Sequence, residues 1–226
     1  MTSPTRAQRE KYEAVYELLV DTYGEPEWRQ HQPPVDQLVN TILSQQTTSA
    51  NREKAFRALK DRFPDWKTVM EAPLNEVRTA IRPAGLANQK APRIQNALRY
   101  VWRERGELAL NFLADWPVAE AKAWLTEIKG VGPKTAAIIL LFTFNQPAFP
   151  VDTHVHRVSR RLGLIGPRVS ADKAHDVLEA IADPEQYYAF HINLIRHGRK
   201  ICNARDPRCH LCPLQEHCDF FQESRN

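Results

Sequence analysis

Apolar residues recur at helical spacing along most of the 226-residue chain. Between Tyr12 and Val20 they fall at i, i+3 and i+4, which predicts a helix that starts near Ser3–Pro4 and stops at Gly24. No stretch alternates apolar and polar residues between turn signals, as a half-buried strand would. The pattern therefore predicts an all-α fold of about ten short helices joined by short loops.

Cap residues and prolines mark the starts of the later helices. Proline suits the first helical position because its φ is fixed and its missing N–H is not needed there. One apolar face runs from Val35 to Leu43, and another runs from Ile94 to Val101 and ends near Gly106. The other predicted starts are Asp65, Pro73, Pro117, Pro133, Thr153, Ser170 and Asp183. The Pro-rich HQPPVD is the best candidate for a domain boundary near the start of the chain.

Composition places the chain among folded proteins, since 42% of its residues are apolar. The net charge of +4 is compatible with a polyanionic partner but carries little weight, because charged runs are usually solvated surface. The first residues contain no apolar run typical of a signal peptide, and no stretch approaches the roughly 18 apolar residues of a membrane span. We expect a cytoplasmic protein with no membrane partner.

Four cysteines lie close together near the end of the chain, at Cys202, Cys209, Cys212 and Cys218. Disulfides are disfavoured in a chain without a secretory signal, and four thiolates can hold either zinc or an iron–sulfur cluster. Base rates favour zinc, but the spacing C-x6-C-x2-C-x5-C is long for a zinc ribbon. The residues alone therefore predict a metal site of open identity.

The segment LTEIKGVGPKTAAIILLF predicts two helices joined by a tight turn. Gly130 and Gly132 allow unusual φ values and close approach of a ligand, and the following helix N-terminus offers amides to an anion such as a DNA phosphate. An ordinary turn with a surface lysine is the simpler interpretation of these glycines. However, a helix N-terminus disfavours a cation by roughly 0.3–1 kcal/mol, so Lys134 is better placed as a nucleophile than as a structural residue.

A carboxylate follows this lysine in FPVDTHVHRVSRRLG. Asp152 stands 18 residues after Lys134, and one helix with one loop can return it toward the lysine. A lone aspartate at this point is simply a helix N-cap, and the two roles are compatible.

The hairpin, VDTHVHRV and the cysteine spacing together resemble the endonuclease III branch of the helix–hairpin–helix DNA glycosylases, from about Leu38 to Cys218. The resemblance implies two helical lobes that flank a DNA-binding cleft. A six-helix barrel would span residues 27–146, with the helix–hairpin–helix at about 125–144. Residues 1–26 would join residues 147–226 in a domain whose loop 202–218 carries a [4Fe–4S] cluster on the four cysteines.

The same resemblance assigns roles to single residues. Lys134 and Asp152 fall on the family's catalytic lysine and aspartate. Gln46, in LSQQTT, takes the place of a glutamine that fills the gap left by an extruded base, and Leu86, in GLANQKA, that of a leucine that wedges the duplex. Without the family, a buried contact is the simpler role for Leu86.

The implied partner is double-stranded DNA that contains damaged bases or abasic sites, which implies a nucleoid-associated protein, and a monomer is expected. Backbone amides around Gly130, Val131 and Gly132 would hold a phosphate, and Arg205 and Arg208 would touch others, although each is equally compatible with solvated surface. The implied activity is a DNA glycosylase with β-elimination at abasic sites, acting on oxidised pyrimidines.

Several alternatives stay open from the residues. Gln45–Gln46 also resembles adenine glycosylases, but those carry a glutamate where Thr41 stands and lack the lysine. Oxidised or alkylated purines and mismatched bases are alternative substrates. A glycosylase that uses water with Asp152, and a non-catalytic DNA-binding relative, are the remaining alternatives.

Overall fold

The computed structural model describes residues 4–224, and within them the chain is helical without a strand, which confirms the all-α prediction. Across these residues no helix combines the length and apolarity that crossing a membrane requires. The α-helices are α1 (Arg6–Tyr23), α2 (Pro34–Ser44), α3 (Ser49–Arg62), α4 (Trp66–Glu71), α5 (Leu74–Ala80), α6 (Ala87–Arg105), α7 (Val118–Glu127), α8 (Pro133–Phe144), α9 (Thr153–Leu162), α10 (Ala171–Ile181), α11 (Tyr187–Lys200) and α12 (Asp219–Glu223). Short 3-10 segments lie at Arg82–Ala84, Asn111–Asp115, Pro184–Gln186, Cys209–Leu211 and Gln215–His217.

The described chain divides into two compact units. The first unit comprises the described parts of Met1–Arg29 and Pro147–Asn226, and the second unit comprises Gln30–Gln146. The boundary therefore falls after Arg29, whereas the sequence placed it before residue 27.

The core of the second unit is built around α2 and α8. Helix α2 packs against α3, α6 and α8, and α8 packs against α2 and α7. Both helices are apolar on most sides, and their side chains from Leu38 to Leu43 and from Thr135 to Leu141 are almost all buried. Each buried aliphatic side chain contributes about 1.5–3 kcal/mol to the stability of the fold. The part of α8 that follows its first residues is therefore held firmly in the core.

The core of the first unit is built around α11, which packs against α1 and α9. Phe190 of α11 is fully buried, with its ring edge-on to Tyr12 at a centroid distance of 5.0 Å and tilted against Phe149 at 5.6 Å. Aromatic pairs of this kind add about 0.5–1.5 kcal/mol beyond their buried area. They hold α1 against the helices that carry the cysteine loop.

Most predicted helix starts are confirmed, and the exceptions have local causes. Asp65, Asp152 and Ser170 each cap a helix through a side-chain oxygen. Asp183 instead caps a 3-10 turn, and α11 begins only at Tyr187. At the start of the chain, Thr5 forms a capping box with Gln8. The predicted start at Ser3 lies outside the described residues.

Helix α3 was not predicted. Only Ala55 and Leu59 are buried along its 14 residues, so the chain there shows almost no apolar periodicity. Its start is set by Thr48, whose hydroxyl accepts the amide hydrogen of Asn51. A single cap and one narrow buried stripe are enough for the helix because it packs against α2 and α5.

Candidate active site and cysteine centre

The turn of the predicted hairpin lies between α7 and α8 in the second unit. Gly130 has φ +95°, a backbone conformation that side chains rarely adopt, so glycine is required there. Gly132 has φ −100° and ψ −178°, which is extended backbone open to any residue. The expectation that both glycines supply unusual φ values is therefore wrong for Gly132. A Cβ at Gly132 would meet nothing within 4 Å, so its own fold does not require a glycine.

The amides that this turn can offer to an anion differ from those predicted. The N–H of Val131 donates to the carbonyl of Ile128 at 2.9 Å, and its side chain is buried, so Val131 is committed to the turn. No side chain caps the start of α8, and Pro133 has no N–H. The free N-terminal donors of α8 are therefore the amides of Lys134 and Thr135. The candidate anion site moves from Val131 into the first turn of the helix.

Lys134 is the second residue of α8, and its side chain is exposed. Most of the following residues of α8, from Thr135 onward, are buried. The amine thus extends from a rigid backbone into solvent, at the point where the helix dipole is positive. A primary amine in this setting can act as a nucleophile toward a substrate bound at the turn.

Asp152 is the N-cap of α9 in the first unit. Its Oδ1 accepts the amide hydrogens of His154 and Val155, both at 2.8 Å. Within residues 4–224 its other oxygen, Oδ2, makes no hydrogen bond, and the side chain is half-buried. One oxygen therefore orients the carboxylate while the second is left for chemistry, which makes the two predicted roles compatible.

Gln46 and Leu86 share an unusual backbone conformation. Both have φ +49°, and among the described non-glycine residues only Asn145 also has a positive φ. Left-handed backbone costs of order 1–3 kcal/mol for such residues and persists where the surrounding structure imposes it. Leu86 is also 42% exposed, so it is not the buried contact that its sequence alone favours. Sequence gave no sign of this shared strain.

Gln45, and Arg93, which the sequence did not single out, connect the loop of Gln46 to the hairpin turn. The side-chain amide of Gln45 donates to the carbonyl of Gly130 at 3.3 Å, and the Arg93 guanidinium donates to Gln45 Oε1 at 2.9 Å. The stem of Arg93 also packs under the turn, since a Cβ on Gly130 would lie 3.1 Å from its Cδ. The Gln45 side chain therefore stabilises the hairpin turn and does not extend outward beside Gln46.

Thr41 occupies the position at which the adenine glycosylases carry a catalytic glutamate. It is buried, and its hydroxyl donates to the Gln37 carbonyl at 2.7 Å. No acid stands at this position of α2. A hydroxyl bonded to its own helix cannot replace a catalytic glutamate.

The four cysteines line a single cavity in the first unit, between α9, α11 and the loop that follows α11. Arg161 of α9 donates to Cys202 Sγ at 3.2 Å and to the Asn203 carbonyl at 2.7 Å. The His197 ring of α11 lies 3.5 Å from Cys212 Sγ. Side chains from two helices thus reach the sulfurs, as outer partners do around metal groups.

The protonation of these thiols follows from their burial. Burial, with smaller contributions from the three other cysteines, raises the pKa of Cys212 to about 11. Burial also raises the pKa of Cys218. Burial lowers the pKa of His197 to about 4, so its ring is neutral. A cationic group that binds here must therefore displace thiol protons, as metal binding to cysteine does in general.

The arrangement of the sulfurs bears on the metal group that the cysteine spacing predicts. Zinc needs four sulfurs at about 2.3 Å from one centre. In the described part of the chain, no three His, Cys, Asp or Glu side chains are grouped to hold a single ion. All four thiols nevertheless line one cavity, so as a donor set they fit a single metal group held by four sulfurs.

Arg205 and Arg208 lie in the cysteine loop with exposed side chains. Neither forms an ion pair with another residue in the 4–224 range. Free, exposed guanidinium groups are suited to bind phosphate oxygens. Their positions within the first unit are fixed by the loop, where the Arg208 amide donates to the Ile201 carbonyl at 2.9 Å.

Comparison with known proteins identifies the family. A model described as the HhH-GPD superfamily of base excision DNA repair proteins matches residues 39–184. An endonuclease III of Thermotoga maritima is 31% identical over 84% of this chain and 84% of its own. A candidate DNA glycosylase of Arabidopsis thaliana is 37% identical over 80% of this chain, and the match spans 64% of that longer protein.

A solved structure agrees with the sequence matches. An endonuclease III trapped as a covalent intermediate with DNA superimposes with a TM-score of 0.81 at 27% identity, over 96% of this chain and 99% of the other. The family model, the sequence relatives and the solved structure together define the class, a base excision DNA repair protein. The chain belongs to the HhH-GPD superfamily and, within it, to the endonuclease III family.

Proposed function

We propose that this protein, a DNA glycosylase of base excision repair, also cleaves the DNA strand at abasic sites through Lys134. The observation that carries the proposal is the exposed amine of Lys134 on the first turn of the otherwise buried α8. A water-using glycosylase would need no amine there. A non-catalytic relative would need neither this lysine nor the free oxygen of Asp152.

The first step is to bring the damaged base out of the helix, because its glycosidic bond is out of reach in the base stack. The amides of Lys134 and Thr135, with Gly132 leaving open space beside them, would hold a phosphate at the positive end of α8. Gln46 and Leu86 would occupy the opened duplex. Arg205 and Arg208 would add phosphate contacts that carry no base information.

The covalent step uses the amine of Lys134 and the carboxylate of Asp152. The lysine nitrogen attacks the sugar C1′, and the bond between C1′ and the base breaks with its electron pair leaving on the base. Asp152 stabilises the positive charge that develops on the sugar and assists proton transfer through its free oxygen. The Lys134 nitrogen then loses a proton, and the C1′–O4′ bond breaks as the nitrogen lone pair forms the C=N bond. O4′ takes up a proton, and the product is a Schiff base between Lys134 and the opened sugar.

Strand cleavage follows from the Schiff base. The iminium makes the hydrogens on the adjacent C2′ acidic, and a base removes one of them. The electron pair forms a C2′–C3′ double bond, and the C3′–O bond breaks with the phosphate as leaving group. This β-elimination nicks the strand on the 3′ side of the lesion.

A [4Fe–4S] cluster is the proposed occupant of the cysteine cavity, held by Cys202, Cys209, Cys212 and Cys218. When bound, such a cluster would cross-link the loop that carries Arg205 and Arg208. Arg161 and His197 would contact its sulfur ligands from α9 and α11. Its contribution is structural, because the residues assigned to the reaction lie outside this cavity.

Cys209→Ser is expected to lose iron and solubility together. The cysteine loop contains little besides short 3-10 segments, so it has few apolar contacts to hold it without the cross-link. Iron and sulfide content, visible absorption and soluble yield measure the effect. Leu211→Ser is the matched control, since it places serine at an exposed position of the same loop.

The control variant should keep its iron. One equivalent of zinc without iron, in wild-type protein purified without exposure to air, would contradict the cluster assignment.

Oxidised pyrimidines are the proposed substrates, and the support for them is similarity to endonuclease III rather than any pocket contact. Oxidised or alkylated purines and mismatched bases are the alternatives. A panel of duplexes that each carry one defined lesion decides between them, with base release as the readout.

A duplex with one abasic site tests the lyase activity directly. Wild-type protein is expected to nick the labelled strand without heat or alkali. Base release from a lesion duplex without any nick at the abasic site would establish a water-using glycosylase and refute the role of Lys134.

A further inference from the structure

Lys90 is a buried lysine in the first turn of α6. Its side chain is only 1% exposed, in a position where lysine is almost never found without a compensating partner. Burial lowers the pKa of its amine, with a smaller contribution from the charge of Arg93. A residue so costly to bury needs an explanation that apolar packing does not supply.

The amine of Lys90 has two partners, and both are carbonyls at the ends of helical segments. It donates to Leu43 at 2.9 Å and to Ala84 at 2.8 Å. Leu43 is next to the last residue of α2, and Ala84 ends the 3-10 segment Arg82–Ala84. Both carbonyls carry the partial negative charge of a helix C-terminus, which favours a cation.

Each of these carbonyls lies just before a loop with a left-handed residue. Leu43 precedes Gln46 by three positions, and Ala84 precedes Leu86 by two. Gln46 and Leu86 both have φ +49°. One buried amine therefore ties together the two strained loops of the second unit.

We propose that Lys90 is a positioning residue that holds Gln46 and Leu86 at a fixed spacing so that both enter the duplex together. The inference rests on the proposed function, in which these two side chains occupy the opened duplex. Lys90 touches neither substrate nor reacting atoms. Its effect is confined to substrates that must be opened, because a single strand has no stack to wedge apart.

The test compares duplex and single-stranded DNA that carry the same abasic site. Lys90→Met keeps the length and volume of the side chain but removes the donor from both carbonyls. The variant is expected to nick the duplex about 10- to 100-fold more slowly. A loss of this size is typical when the groups that position a substrate are displaced by about 1 Å. Its rate on the single strand should match that of the wild type.

Gln95 provides a matched control on the same helix. It is 2% exposed, and its amide donates to two carbonyls, those of Val69 at 2.9 Å and Ala72 at 2.8 Å, away from both strained loops. Gln95→Met removes the same kind of contact, so its melting temperature should fall in a similar way. Its ratio of duplex to single-strand rates should stay that of the wild type.

Two further measurements keep the inference open to refutation. If Lys90→Met does not fold, Lys90→Gln keeps an N–H donor on a shorter side chain that reaches one of the two carbonyls, and it should show a smaller loss confined to the duplex. If the wild type nicks neither substrate, the proposed lyase activity is wrong, and 2-aminopurine placed beside the lesion then reports opening alone. Equal slowing on duplex and single strand, or unchanged 2-aminopurine fluorescence in the variant complex, would overturn the role of Lys90.

Discussion

Lys134→Gln is expected to abolish the covalent complex that borohydride traps between this glycosylase and a duplex with an abasic site. The Schiff base requires a primary amine, and glutamine has none, while its side chain keeps much of the length of lysine. Nicking of the same duplex should fall to background. Reduction with borohydride followed by denaturing electrophoresis detects the complex as a band that contains both protein and DNA.

The expected defect is chemical, so binding and folding should survive the substitution. Lys134 is exposed, and its backbone amide, which we assign to phosphate binding, is unchanged in the variant. Lys129, an exposed lysine of the same hairpin, gives the control. Lys129→Gln should form the trapped complex at the wild-type rate. A trapped complex of undiminished yield with Lys134→Gln would place the nucleophile on another residue.

The fold could be predicted from the sequence wherever apolar spacing and cap residues agreed. The predicted starts of α8 and α9 are confirmed, and the predicted apolar face of α2 is buried. Helix α3 escaped prediction because it buries only two side chains and draws its stability from packing rather than from its own pattern.

Backbone detail at the site could not be predicted in the same way. The sequence identifies a glycine but not its φ, so Gly130 and Gly132 appeared equivalent until the structure separated them. Likewise, the commitment of the Val131 amide to Ile128 depends on the shape of one turn. The backbone conformation of a single residue is set by tertiary packing, and this packing produces no periodic pattern in the sequence.

The buried position of Lys90, in contrast, is visible in the sequence pattern. It lies four residues before Ile94 and eight before Leu98, both fully buried, which places it on the apolar face of α6. A charged residue on such a face predicts a buried ion with partners. Those partners could not be named from sequence, because they are backbone carbonyls of two other segments. Side-chain periodicity therefore locates an unusual residue, and only the fold reveals its role.

Asp152→Asn is the second variant for which we expect a large loss of activity, and it separates the cap from the chemistry. Asparagine caps helices about as well as aspartate, so the two amide hydrogens at Oδ1 keep an acceptor. Losing the cap altogether, as in Asp152→Ala, would cost about 1 kcal/mol of stability. The melting temperature of Asp152→Asn should therefore stay close to that of the wild type.

Base release by Asp152→Asn should nevertheless slow by about 10²–10⁴-fold, the contribution typical of a general acid or base. The neutral amide cannot stabilise the positive charge that develops on the sugar, and its free end cannot take up a proton. Single-turnover kinetics on a lesion duplex, with enzyme in excess, measure this step apart from binding and product release. Asp65→Asn makes the same change at the N-cap of α4, where the carboxylate accepts the Thr68 amide hydrogen at 2.7 Å, and should leave the rate unchanged. A normal rate for Asp152→Asn would reduce Asp152 to a helix cap, because the substitution removes both the charge and the proton-accepting oxygen but keeps the cap.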